Sequence, residues 1–335
     1  MQTLTIGPVT VPGAVIMAPM AGVGNSVFRQ IAREQGAGMV VTPLISAEGV
    51  VRGDGKTLDL AVVRPEEQPC AVQIFGDDPM VMARSARFLE AQGAQLIDIN
   101  AGCPSKRVTA CGAGVRLLRD MERLYAVAAA VVQAVSIPVT AKTRLGWSHT
   151  DVAVIPAVQA LTRAGIAAIA IHARFKGDGP STPAQWEWIG AAVSETSCPV
   201  IGNGGIMRPE DARDMIQATG CAGVMVGRAA VGRPWLLGLC QRSIDGEEPV
   251  EDPPLEERLE VGLRHLALQA ELDPPGRMVH LTAGAMAAYL RGFPHARAQR
   301  YALMHGRSYE ELEAMMRSAG RTSPEGAEVR GVGLP

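Results

Sequence analysis

Short apolar runs alternate with amphipathic segments from the start of the chain to about residue 240. Runs rich in Val, Ile and Ala predict eight strands, over Ala14–Ala18, Met39–Thr42, Ala71–Phe75, Leu96–Asn100, Val139–Lys142, Ala167–His172, Val200–Asn203 and Gly223–Val226. Helical patterns lie between them, over residues 25–35, 79–92, 121–135, 152–163, 186–193 and 209–218. Because these strands lack a strict polar alternation, they indicate a parallel sheet that is buried on both faces.

Eight such units predict an α/β fold, a (β/α)8 TIM barrel. An open sheet is the alternative, and the missing G-x-G-x-x-G after the first strand weakens it. After the acidic, Pro-containing segment 246–254 the pattern changes to three helices, Leu255–Leu272, Met278–Arg291 and Ala296–Ser318. We therefore expect a catalytic barrel over residues 1–243, a small C-terminal helical domain over 244–319 and a Gly/Pro-rich disordered tail over 320–335.

Composition bears on where the protein works and on its binding to nucleic acid and membranes. An apolar fraction of 47%, a charged fraction of 20% and a formal net charge of -2 are ordinary for a globular protein, so any nucleic-acid binding needs a local basic patch. The six irregularly spaced cysteines favour reduced thiols. With no leader pattern and no run of membrane-spanning length, we expect a soluble, cytoplasmic protein without a membrane partner. The histidines outside the strands show no metal-ligand spacing, so no metal is expected.

Polar or turn-forming residues follow most of the predicted strands. In a TIM barrel, the loops after the strands' carboxyl ends carry the active site. Each of these side chains could instead form an internal hydrogen bond, but a whole ring of them favours a polar ligand. The ring consists of Pro19, Met20, Gln73, Asn100, Cys103, Lys142, Arg144, His172, Arg174, Asn203, Gly227 and Arg228.

Two glycine-rich turns, Gly202-Asn203-Gly204-Gly205 and Gly227-Arg228, end the last two strands. Backbone N–H groups in such turns form the usual phosphate site of this fold, although tight structural turns would look the same. Lys142 lies in an otherwise apolar strand of a chain that uses few lysines. Its ammonium could face an electron-accepting ring. The alternative is that the side chain extends to the protein surface.

Cys103 follows the strand Leu96–Asn100 in a loop between Gly102 and Pro104. A free cysteine is usually a small core residue. The position in a loop at a strand's carboxyl end favours an exposed, functional thiol instead.

The segments Ala18-Pro19-Met20-Ala21-Gly22, Asp98-Ile99-Asn100-Ala101-Gly102-Cys103-Pro104-Ser105-Lys106 and Lys142-Thr143-Arg144-Leu145-Gly146-Trp147 resemble the FMN-dependent tRNA-dihydrouridine synthases, most closely the bacterial B clade. The resemblance implies that NADPH reduces FMN, that uridine in tRNA is then reduced at C5–C6, and that Cys103 is the catalytic acid. It also implies that Asn100 and Arg144 hold the uracil ring, in what we expect to be a monomer. The FMN-binding residues implied in the same way are Pro19, Met20, Gln73, Lys142, His172, Asn203, Gly204, Gly205, Gly227 and Arg228.

The helical domain departs from the family pattern. Ala283-Gly284-Ala285 stands where the family carries a basic cluster, and Arg277, Arg291, Arg297 and Arg300 could form another patch. Two alternatives therefore stay open. One is a diverged FMN reductase of this barrel that acts on another RNA or on a small unsaturated substrate. The other is a flavoprotein with a binding role and no turnover, which Cys103, Asn100 and Arg144 argue against.

Overall fold

The computed structural model describes residues 3–247, 250–273, 276–293 and 296–319. The expected disorder of residues 320–335 lies outside this described part. The chain divides into two compact units. The first comprises Met1–Ala230 with Pro234–Asp252, and the second comprises Val231–Arg233 with Pro253–Pro335.

Eight parallel strands form the centre of the first unit. They are β1 (Val15–Met17), β2 (Met39–Val41), β3 (Cys70–Phe75), β4 (Leu96–Ala101), β5 (Val139–Arg144), β6 (Ala168–His172), β7 (Val200–Asn203) and β8 (Gly223–Val226). Each strand pairs in parallel with its neighbours in sequence, and β8 pairs with β1, so that the sheet closes on itself. The predicted (β/α)8 barrel is confirmed.

The strands are buried on both faces, which explains why their sequences do not alternate. One apolar cluster fills the barrel, with Ile16, Leu96, Ile201 and Met225 among its members. An antiparallel hairpin of Leu4–Ile6 and Val9–Val11 adds Leu4, Ile6 and Val11 to the same cluster. A larger cluster lies between the strands and the surrounding helices.

The helices that accompany these strands are α1 (Ser26–Glu34), α2 (Ala47–Val51), α3 (Gly55–Ala61), α4 (Pro79–Ala91), α5 (Lys106–Ala110), α6 (Met121–Ala134), α7 (Val154–Arg163), α8 (Glu187–Val193), α9 (Pro209–Thr219) and α10 (Leu236–Ile244). The six that the sequence predicted, which are α1, α4, α6, α7, α8 and α9, begin and end close to the predicted positions. Side-chain caps explain two of the beginnings, because Asn25 accepts from Phe28 N and Asp120 accepts from Arg123 N. The predicted pattern has no counterpart for the helices α2, α3, α5 and α10, or for the hairpin of Gly146–Ser148 with Asp151–Val152.

The second unit is helical in its described residues, with α11 (Leu255–Leu272), α12 (Val279–Tyr289), α13 (Ala296–Leu303) and α14 (Tyr309–Ala319). The single predicted helix over Ala296–Ser318 is wrong, because the chain breaks around Gly306 and restarts with Ser308 accepting a hydrogen bond from Glu311 N. The first unit extends to Asp252, beyond the expected boundary at residue 243, and Asp252 accepts a hydrogen bond from Trp235 Nε1 of the same unit at 3.1 Å. Nowhere in the described ranges is a helix long and apolar enough to cross a membrane.

Candidate active site

A cavity of about 490 Å³ opens at the carboxyl ends of the barrel strands. Every site residue proposed from the sequence lines it. These residues are Pro19, Met20, Gln73, Asn100, Cys103, Lys142, Arg144, His172, Asn203, Gly204, Gly205, Gly227 and Arg228. The parallel register brings them together, since Asn100 pairs with Lys142, and His172 pairs with both Arg144 and Asn203.

The loop that carries Cys103 is anchored by the side chain of Asn100. Asn100 Oδ1 accepts from the backbone nitrogens of Cys103 at 2.8 Å and Gly102 at 3.2 Å. On the other side of the loop, the Cys103 carbonyl accepts from Val115 N at 3.1 Å. Cys103 is partly exposed to the cavity, whereas Cys111 is exposed at the end of α5. The backbone contacts therefore fix the position of the Cys103 loop.

Arg144 joins two loops around the cavity. Its Nε donates to Gly102 O at 2.9 Å, and its Nη1 donates to Phe175 O at 3.1 Å. Burial lowers the pKa of Arg144, and the nearby Cys103 partly opposes that effect. An arginine stays protonated at neutral pH even so, and Arg144 thus keeps a positive charge beside Cys103.

Lys142 lies at the end of β5 and contacts the last part of the barrel. Its Nζ donates to Asn203 Oδ1 at 3.0 Å, and Asn203 Nδ2 donates to Met225 O at 2.6 Å. Burial, together with the like charge of Arg144, lowers the pKa of Lys142 to about 7. The ammonium is therefore sensitive to any negative charge that enters the cavity.

His172 is a neutral side chain in a cationic setting. Burial and the charges of Lys142, Arg144, Arg174 and Arg228 hold its pKa far below the ordinary value. Arg174 lies 3.3 Å from His172 Nε2 through its Nη1, and it donates from Nε to Thr182 O at 2.7 Å. The sequence placed Arg174 on the rim but gave it no role.

The glycine turn after β7 needs glycine at Gly204 and Gly205. Both have a left-handed backbone, with φ of 110° and 86°, and a Cβ on Gly204 would lie 2.9 Å from His172 Cδ2. Trp186 supports the turn by donating from Nε1 to Gly204 O at 2.8 Å. Trp186 precedes α8, and its indole N–H thus helps to hold the cavity wall.

Charge defines what the cavity can bind. Lys142, Arg144, Arg174 and Arg228 line it, and no Asp or Glu is among the described residues that do. Glycine turns with exposed backbone and several cations fit an anionic, phosphate-bearing ligand.

Sequence reasoning gave no role to a buried polar pair beneath the cavity, Asp98 and Thr140. Asp98 accepts from Gln73 Nε2 and from Thr140 Oγ1, both at 2.6 Å. The sequence feature that could have pointed to Asp98 is a carboxylate inside the otherwise apolar run of β4.

Fold and cavity together define a TIM-barrel protein with a cationic ligand site and a cysteine at its edge. The sequence profile of the dihydrouridine synthase (Dus) family matches residues 16–322. A tRNA-dihydrouridine synthase B from Pseudomonas aeruginosa is 39% identical over 267 residues, which cover 80% of each chain. A probable tRNA-dihydrouridine synthase from Synechocystis is 33% identical over 324 residues, covering 96% of this chain and 90% of that protein. The chain belongs to the dihydrouridine synthase family.

Solved structures agree on the fold. Histamine dehydrogenase from Rhizobium sp. 4-9 superposes with a TM-score of 0.54 at 13% identity, covering 79% of this chain and 50% of that chain. At this identity the similarity concerns the barrel architecture alone.

Proposed function

We propose that the protein is a tRNA-dihydrouridine synthase that uses FMN and NADPH to reduce the C5–C6 bond of uridine in tRNA. One observation carries the proposal: a cationic cavity and a partly exposed cysteine occur together at the carboxyl end of a barrel of this family. We expect the enzyme to work as a monomer in the cytoplasm.

The residues of the cavity fit FMN. The glycine turn at Gly204 and Gly205, with Arg228 nearby, would hold the phosphate, and Lys142 would lie near the ring system. Pro19, Met20, Gln73, His172, Asn203 and Gly227 complete the proposed binding set. When bound, FMN supplies hydride chemistry at uracil C6.

We assign to Cys103 Sγ the transfer of a proton to C5 of the uracil. Thiols generally stay protonated near neutral pH, which suits a general acid. Asn100 gives one Nδ2 hydrogen to Gln73 Oε1 at 2.8 Å, so its second hydrogen is the one we assign to the uracil. Arg144 would contribute its Nη2 group, since Nε and Nη1 hold Gly102 and Phe175.

The helical unit offers a surface for the tRNA phosphates. Arg291, Arg297 and Arg300 line one depression together with Tyr301 and Gly284. Gly284 belongs to the segment that replaces the basic cluster of the family. Arginines bind RNA mainly through phosphate contacts, so this depression supports tRNA binding that weakens as salt rises.

Mapping dihydrouridine in tRNA from a strain that lacks the gene tests the proposal. We expect at least one position to lose the modification and to regain it with the wild-type gene. If every position keeps dihydrouridine while the purified protein binds FMN and oxidises NADPH, the diverged reductase with another substrate becomes the better explanation.

A further inference from the structure

A continuous chain of hydrogen bonds leads from the buried Asp98 carboxylate to the Cys103 loop. Asp98 Oδ2 accepts from Gln73 Nε2 at 2.6 Å, and Gln73 Oε1 accepts from Asn100 Nδ2 at 2.8 Å. Asn100 Oδ1 then accepts from Cys103 N at 2.8 Å. The residues of this hydrogen-bond chain come from neighbouring strands, Gln73 from β3 and both Asp98 and Asn100 from β4. The next strand, β5, contributes Thr140, which donates to the other Asp98 oxygen.

The two ends of this chain determine its direction. A carboxylate can only accept, so the Gln73 amide must turn its NH2 group towards Asp98. A backbone N–H can only donate, so Asn100 must turn its oxygen towards Cys103. Between these ends, the Gln73 oxygen and the Asn100 NH2 group face each other as acceptor and donor. Reversing any one amide would place like groups together.

We propose that Asp98 is a positioning residue that holds the Cys103 loop in its reactive place through Gln73 and Asn100. The inference rests on the proposed role of Cys103 as the acid. Asp98 lines no part of the cavity and does not touch the reacting atoms. It acts by keeping the two amides in one orientation.

Thr140 supports this task. Its hydroxyl donates to Asp98 Oδ1 at 2.6 Å and helps to keep the carboxylate ionised. Burial raises the pKa of Asp98, and the hydrogen bonds from Thr140 and Gln73 oppose that rise. Without the threonine donor the carboxyl takes up a proton more readily, and a protonated Asp98 can donate to Gln73 and reverse the amide.

A matched pair of substitutions on β5 tests the proposal. Thr140→Val removes the donor to Asp98, whereas Thr143→Val makes the same change at a buried threonine outside the chain. Asp98→Ala removes the carboxylate itself. Asp98→Asn is the rescue variant, since its oxygen can accept from Gln73 while its amide donates to Thr140.

Two readouts report on the loop. Hydrogen exchange at the Cys103 amide should accelerate about threefold to tenfold in Thr140→Val and Asp98→Ala, the effect of losing one hydrogen bond. At saturating FMN, kcat for uridine reduction should fall about tenfold or more, with KM for tRNA and flavin reduction by NADPH retained. Thr143→Val should match wild type in both, and Asp98→Asn should recover most of what Asp98→Ala loses.

The outcomes separate this proposal from the proposed function. If Thr140→Val and Thr143→Val show the same exchange at Cys103 and the same kcat, the positioning role is wrong. That comparison decides the matter even if Asp98→Ala fails to fold. If wild-type protein forms no dihydrouridine, the proposed function fails, but the exchange series still tests whether Asp98 holds the loop.

Discussion

Raising the pH should weaken FMN binding through the loss of one charge, that of Lys142. Burial and the neighbouring Arg144 lower the pKa of Lys142 to about 7 in the flavin-free barrel. An anionic cofactor favours the charged form, so its affinity falls as that form disappears. From about pH 7.5 to about pH 9 the charged fraction drops from roughly a quarter to roughly one hundredth, which corresponds to about 20-fold weaker binding.

The assay is the quenching of flavin fluorescence as FMN is titrated into flavin-free protein over this pH range. Lys142→Met should bind FMN more weakly at the lower pH and show almost no slope. Because thiols titrate in the same range, Cys103→Ala serves as the control and should keep the wild-type slope. A wild-type affinity that changes less than about threefold, or an equal slope in Lys142→Met, would refute the reasoning.

Three further predictions concern other parts of the molecule. Gly204→Ala should lose FMN, because alanine in this left-handed backbone costs about 1–3 kcal/mol and its methyl group would meet His172. Gly177→Ala is the control and should keep FMN, because a methyl group there enters open space. The measurement is the flavin content of each variant after purification. Replacing Arg291 and Arg297 together by Ala should lower the slope of tRNA affinity against salt by about 1–2 without affecting FMN, as binding titrations at several salt concentrations would show. Burial lowers the pKa of His265 to about 4, so the unfolded chain binds a proton that the folded helical unit excludes. Thermal melts should therefore show about 1.5 kcal/mol less stability at about pH 5 than at about pH 6.5, and His265→Gln should remove that part of the loss.

The barrel could be predicted because its strands are short, apolar and buried on both sides. Ile16, Leu96 and Ile201 fill the interior, while residues between them pack against helices, so most of each strand is apolar on both faces. The residues after the strands could then be placed together, because the carboxyl ends of parallel strands lie at the same edge of the sheet. That geometry placed Asn100 and Lys142 together, and the register pairs them directly.

Other features depend on side-chain directions that periodicity does not contain. The bond from Trp186 to Gly204 joins the segment before α8 to the turn after β7, so only the folded chain reveals it. Asp98 and Thr140 meet through cross-strand pairing of β4 with β5. The break between α13 and α14 depends on Gly306 and the cap at Ser308, local signals within an otherwise helical pattern.

The most direct test of the central claim is uridine reduction by enzyme whose flavin has first been reduced with NADPH. On mixing with unmodified tRNA, wild-type protein should form dihydrouridine while its flavin reoxidises. Cys103→Ala should form it about 10²–10⁴ times more slowly with normal flavin reduction, and Cys111→Ala, altered at an exposed thiol outside the cavity, should behave as wild type. Equal rates in wild type and Cys103→Ala, or no dihydrouridine in any of the three, would contradict the account.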